Sequence, residues 1–222
     1  MKLIEHFPTH KEIVLATIDE AKLLYPRLDG FRFNYVISAN RTATNSDQIS
    51  SSIDRFILRT IRSQADLIVS TGLTARTENL KSSSYAPLLL LTQREALECD
   101  ATRLASEQMV YVTCDEDSFS IPNALAVGKT SEPLTVWLEE FASKQSAKSV
   151  VIECGLSLTR IFLASFLAKE FCLSVTEANN MALAKETAGR FLNELAVKAT
   201  LIQLLEYEDT YLFRFDLLSQ TV

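Results

Sequence analysis

Histidine is nearly missing from this chain: it has two in 222 residues, His6 and His10, both within the first ten. A histidine-based triad or metal site would have to be assembled from one end of the chain, and the sequence points to neither. Glycine is scarce too, at five residues, whereas phosphate-cradling loops are usually rich in it. The four cysteines, Cys99, Cys114, Cys154 and Cys172, stand far apart, and the last two lie in apolar runs where a cysteine acts as a small hydrophobe. Neither a disulfide framework nor a zinc site is implied, and no metal is expected. No apolar run approaches the roughly 20 residues that span a bilayer, and the opening "MKLIEHFPTHKEI" lacks an apolar signal core. The expectation is a soluble, cytoplasmic protein without a membrane partner. Positive charge is also in deficit, with 22 Lys and Arg against 28 Asp and Glu. Broad binding to a phosphate backbone needs clustered cations, so nucleic acid is not an expected partner.

What the chain does have is apolar content. At 47% hydrophobic it can bury a substantial core, and its length suits one α/β domain over 1–222, with an N-terminal extension or helix over 1–27 and the core over 28–218. "HKEIVLATIDEAKLLY" predicts a helix stopped by Pro26 and the "LDG" turn. "FRFNYVIS" alternates and is rich in aromatic and β-branched residues, as a strand should be. In "SSIDRFILRTIRSQA" the residues Ile53, Phe56, Ile57 and Ile61 recur at helical spacing, with Ser51 or Ser52 as N-cap and Asp54 in the first turn. "DLIVSTG", "APLLLLTQ", "MVYVTCD" and "SVVIECG" read as short strands with the continuous apolar character of parallel strands covered on both faces. "EPLTVWLEEFASKQS" and "LSLTRIFLASFLA" read as helices, "EFCLSVTEA" as a strand, and "TLIQLLEYEDTYLFRFDLL" as a hairpin around an acidic turn. Strands alternating with helices predict a mainly parallel central sheet with helices on both faces and a C-terminal antiparallel hairpin. In such sheets ligands sit at the carboxyl ends of the strands.

At those strand ends the sequence resembles the pyrimidine reductases of riboflavin biosynthesis, most closely the stand-alone form of the reductase domain that also ends the bifunctional deaminase-reductase. "FNYVISANRTAT" supplies Asn34, Ser38, Asn40 and Arg41 where that family runs from its first strand into a Ser-Leu-Asp-Gly loop. "LIVSTGLTARTENL" is similar to the second motif through Gly72, Thr74, Arg76 and Glu78. "VIECGLSLTRIFLASFLAKEFCLSVTEA" matches the family's Glu-Gly-Gly-Pro turn and following Leu at Glu153, Gly155 and Leu158. The resemblance covers roughly 25–218.

The resemblance implies a dihydrofolate-reductase-like three-layer fold, a homodimer, NADPH as hydride donor, and a pyrimidine-ribosyl substrate, a ribosylamino-pyrimidine, reduced to its ribitylamino product. It places Glu153 and Asn40 at the chemistry. Ser70, Gly72, Thr74, Glu153, Cys154, Gly155, Ser157 and Leu158 would border the cofactor, and Asn34, Ser38, Asn40 and Arg41 the substrate. The chain departs from the pattern at several points. Asn40 replaces an Asp, keeping hydrogen bonding but losing charge. Arg41 replaces a Gly, Ser70 stands where the second motif has its first Gly, Cys154 and Leu156 replace a Gly and a Pro, and Lys169 replaces an Asp. The alternative is therefore a catalytically impaired, dimeric binding or scaffold protein on the same fold.

Each residue also has a plainer reading. Glu153 can be a helix N-terminal charge, Gly72 the positive-φ end of a strand, Thr74 a helix cap, and Ser38 and Asn40 turn formers. Asn34 interrupts an apolar strand and should be hydrogen-bonded. Arg76 and Glu78 read as a solvated pair. Trp137, with Leu134, Leu138 and Phe141, reads as a core stripe. "CDEDS" lacks the glycine and the final glutamate of a calcium loop.

Overall fold

The computed structural model describes residues 1–40, 46–78, 80, 83–92, 108–113, 124–127, 132–164 and 168–217. Its described strands are β1 Lys2–Phe7, β2 Lys11–Val14, β3 Gly30–Ser38, β4 Leu67–Thr71, β5 Leu88–Leu91, β6 Val110–Val112, β7 Ala124–Ala126, β8 Ser149–Ile152, β9 Ala168–Thr176, β10 Ala199–Tyr207 and β11 Thr210–Leu217. They form one sheet in the order β2-β1-β10-β11-β9-β3-β8-β4-β5-β6-β7. From β9 through β3 and β8 to β7 every pairing is parallel, and from β9 through β11 and β10 to β2 every pairing is antiparallel. The expected hairpin is β10–β11.

The helices are α1 Ile18–Leu24, α2 Ser52–Arg62, α3 Gly72–Thr77, α4 Leu134–Lys144, α5 Leu156–Leu163 and α6 Met181–Glu194. They divide between the two faces of the sheet. Ala21, Ile53, Ile57, Ile61 and Ala75, from α1 to α3, share an apolar cluster with Ile68, Leu88, Leu90 and Val151. Leu138, Phe141, Phe162, Ala184, Ala188 and Phe191, from α4 to α6, share a second with Phe33, Val69, Leu89 and Ile152. The three layers are thus those of the predicted fold class. Strands β4, β5 and β8 are buried at every position because both of their faces are covered, which is why they read as unbroken apolar runs.

The N-terminal expectation needs correction. The stretch read as one helix from His10 to Tyr25 is strand β2 followed by α1, and residues 2–14 form a ribbon that extends the sheet beside β10 rather than an appendage. The helix starts late because Thr17 and Glu20 make a capping box, each side chain bonding the other's backbone N–H. Helix α6 has no counterpart in the sequence reading. Lys169, one of the departures, does structural work: its Nζ donates to the Asp29 carbonyl at 2.7 Å. Its chain also crosses Gly30, at φ 134°, so closely that a Cβ there would lie 2.7 Å from Lys169 Cδ. Among the described residues no helix is long and apolar enough to cross a membrane.

Candidate functional site

A cleft of about 720 Å³ opens at the carboxyl ends of β3, β4 and β8. Its floor comes from β3, where side chains alternate between faces: Asn34, Val36 and Ser38 lie on one, while the Tyr35 ring packs 5.0 Å from Phe191 of α6. Helix α2 supplies the opposite wall. Its core stripe, Ile53, Ile57 and Ile61, is turned to the sheet. The neighbouring stripe at the same four-residue spacing, Asp54, Leu58 and Arg62, lines the cleft together with Arg55. The starts of α3 and α5 complete the rim.

Charge in the cleft is organised around Glu153, which follows β8. Arg62 grips it with both ends of its guanidinium: Nε donates to Oε1 at 2.8 Å and a terminal nitrogen donates to Oε2. Both side chains are mostly buried, and a bidentate pair of this kind fixes geometry as well as charge. The Glu153 backbone is fixed as well, its carbonyl accepting from Ser70 Oγ at 3.1 Å. Asp54 is 3% exposed. Burial pushes its carboxyl above the ordinary range, against the polar surroundings of Ser174 and a 2.7 Å hydrogen bond from Ser50 that favour the anion. The sign for stability is fixed by that direction. An acid whose folded value is raised favours folding below its unfolded value, and that contribution is lost as pH rises through the folded one.

The rim offers two helix starts. At α3 the N-cap is Thr71, whose hydroxyl accepts from the Thr74 backbone N–H at 3.0 Å and sits 2.9 Å from the Thr74 hydroxyl. Helix α5 begins at Gly155 without a side-chain cap of its own. A Cβ on Gly155 would meet nothing within 4 Å.

Of the residues that the resemblance places at the cofactor or substrate, Asn34, Ser38, Thr74, Glu153, Cys154 and Gly155 line the cleft. The Cys154 thiol is itself buried in the core, and burial pushes its pKa up. Five others do not line it. Asn40 bonds the carbonyl of Glu177 at 2.6 Å, serving the turn after β9. Ser70 is fully buried beneath Glu153. Gly72 opens α3 rather than ending a strand at positive φ. Ser157 is exposed on α5, and Leu158 packs against the core. Arg41 lies outside the described residues, as does the "CDEDS" stretch. Ser38 donates to the Glu177 carboxylate at 2.5 Å. Asp54, Arg55 and Arg62 are charged cleft residues to which the sequence reading gave no part in the site.

A search of family models finds no match, and neither does a search of curated proteins. Solved structures do match. A pyrimidine reductase-like protein of Corynebacterium diphtheriae superimposes with a TM-score of 0.67 at 16% identity, over 92% of this chain and 100% of that one. This chain has the fold of the pyrimidine reductases. The diaminohydroxyphosphoribosylaminopyrimidine deaminase/5-amino-6-(5-phosphoribosylamino)uracil reductase of Thermotoga maritima gives a TM-score of 0.61 at 13% identity, over 90% of this chain and 60% of that bifunctional one. The riboflavin biosynthesis reductase of Saccharomyces cerevisiae gives 0.58 at 12%, over 93% of each. Among the described residues no group of three or more His, Cys, Asp or Glu side chains is placed to hold a metal ion.

Proposed function

We propose that this chain is an NADPH-dependent reductase that converts a ribosylamino-pyrimidine to its ribitylamino product. One observation carries the reading: a single cleft at the carboxyl ends of the parallel strands joins Glu153 to Asn34 and Ser38 of β3, Thr74 of α3 and Gly155 at the start of α5. The fold shared with solved pyrimidine reductases supports it.

The residues present fit a reduced nicotinamide dinucleotide. Gly155 leaves open space before an α-helix N-terminus, where backbone N–H groups and the helix dipole favour a phosphate. Leu73, 60% exposed at the cleft rim, offers an apolar face to a ring, and the Thr74 hydroxyl is placed to meet a ribose. The cofactor would supply the hydride. This chain's part is positional: Glu153, immobilised by Arg62, would orient the ring that delivers it, while Asn34 and Ser38 hydrogen-bond the substrate's sugar or base.

A second reading is favoured by the same ion pair. With both Glu153 oxygens engaged by Arg62, the cleft is suited to a binding protein that holds a ligand without turning it over. Fluorescence titration separates the two. The reductase predicts saturable NADPH binding at micromolar concentrations and oxidation of NADPH when the ribosylamino-pyrimidine is added. Absence of binding up to millimolar NADPH overturns the reading.

A further inference from the structure

Asp54 is a carboxyl buried in the wall of a ligand-sized cleft, and the two described cations of that wall, Arg55 and Arg62, have other partners. Arg55, the next residue, donates to the Asp47 carbonyl at 3.0 Å, and Arg62, two turns along α2, is engaged by Glu153. The groups that face Asp54 are Ser50, whose hydroxyl donates to Oδ2 at 2.7 Å, Ser174 from β9, Arg55, and the Glu153 carboxylate from the end of β8. An acid held by the Ser50 hydroxyl, with Ser174 and another carboxylate facing it and with no ion-pair partner among the described residues, is poorly placed to stay ionised and well placed to give up a proton.

We propose that Asp54 is the proton donor of this cleft, a role that rests on the reductase reading above. The reaction needs one. Reducing C1 of a ribosylamine requires the bond between C1 and the ring oxygen to break. The exocyclic nitrogen's lone pair forms C1=N as that bond opens, and the departing oxygen takes a proton, here from the Asp54 carboxyl. Hydride from the reduced nicotinamide then adds to C1, and the electron pair of the C=N bond returns to nitrogen. The sum is one proton and one hydride gained by the substrate, one nicotinamide oxidised, and an Asp54 carboxylate that recovers its proton from solvent. The burial that raises the Asp54 carboxyl above its ordinary range keeps the proton in place between turnovers.

The test is Asp54→Asn, which keeps shape and lets the Ser50 hydroxyl keep a bonded partner. Three readouts are taken: NADPH binding by fluorescence, single-turnover oxidation of NADPH against pH, and a 13C NMR titration of aspartate carboxyls in the ligand-free protein. The proposal expects wild-type turnover to fall as pH rises through an elevated carboxyl value. It expects the variant to bind NADPH as wild type does while turning over about 100-fold or more slowly, with that limb of the pH profile gone. One aspartate signal titrating above the usual range should be missing from the variant's spectra, and Asp54→Glu should recover part of the rate. If wild-type protein binds or oxidises no NADPH, the reductase reading fails and takes the proposal with it. If wild-type protein turns over and Asp54→Asn matches its rate and pH profile, the proton-donor role alone is overturned.

Discussion

Replacing Glu170 with alanine is expected to lower the free energy of unfolding by about 3–5 kcal/mol, the loss typical when one member of a buried ionic cluster is removed. Glu170, on β9, is 5% exposed and lies between two guanidiniums. Arg32 Nε stands 2.7 Å from one carboxylate oxygen and Arg214 Nη2 2.8 Å from the other. Further hydrogen bonds tie the cluster to its surroundings. Arg32 donates to the Pro26 carbonyl at 2.7 Å, Arg214 donates to the Leu24 carbonyl and to Gln203 Oε1 at 3.2 Å, and Gln203 Nε2 donates to Glu5 at 2.9 Å. The Tyr25 ring lies under Arg214 at 5.1 Å. Without the carboxylate two buried cations face each other with nothing between them. Burial alone would raise the Glu170 carboxyl, but the hydrogen bond from Arg214 and the charges of Arg32 and Arg214 outweigh it and hold it below its ordinary value. Its contribution to stability is therefore present above the unfolded value and lost as pH falls through the folded one. Urea denaturation at neutral pH measures the loss, and the acid limb of stability should be shallower in the variant. A loss under about 1 kcal/mol would show the cluster to be neutral to the fold.

Glu153→Ala is the second large effect, expected at about 3 kcal/mol because it strands Arg62 without its partner. The stability loss by itself would not separate a structural carboxylate from a functional one, so the double variant Arg62→Met/Glu153→Leu is the informative companion. Replacing both charges with apolar groups of similar volume is expected to restore most of the stability. The reductase reading expects that double variant to be folded and to have lost NADPH binding. A stable double variant that binds NADPH as wild type does would reduce the pair to a brace between α2 and the end of β8.

These two clusters show where sequence reading reached and where it stopped. Strands β3, β4, β5 and β8 and helix α2 are legible because their apolar residues repeat strongly, either without a break or at helical spacing. Helix α6 is not, because apart from Phe191 its buried face rests on Ala184, Thr187 and Ala188, small or polar residues that carry little hydrophobic contrast. The strand Lys11–Val14 escaped because its neighbours looked helical, although Thr17-x-x-Glu20 marks a later start. In the cleft, Glu153, Asn34 and Ser38 follow from the motif positions. Asp54 and Arg62 do not, because an acid in the first turn of a helix and a base in its last turn are already explained by the helix dipole. Only the packing of α2 against the end of β8 shows that both side chains look inward. Asn40 misled in the opposite direction: its amide completes a turn with Glu177 instead of meeting the cleft.

The pairing of Ile4 with Glu206 joins segments from opposite ends of the described chain, and it sets a sequence of events on the ribosome. The parallel strands around the cleft, from Gly30 to Ile152, are made and available to one another before β10 emerges. The ribbon of residues 2–14 can only wait, its unpaired backbone edge exposed to any other nascent strand. A chaperone that shields short β-edges during translation should therefore raise the soluble yield of this protein, and should matter much less once Ala199–Tyr207 has been synthesised.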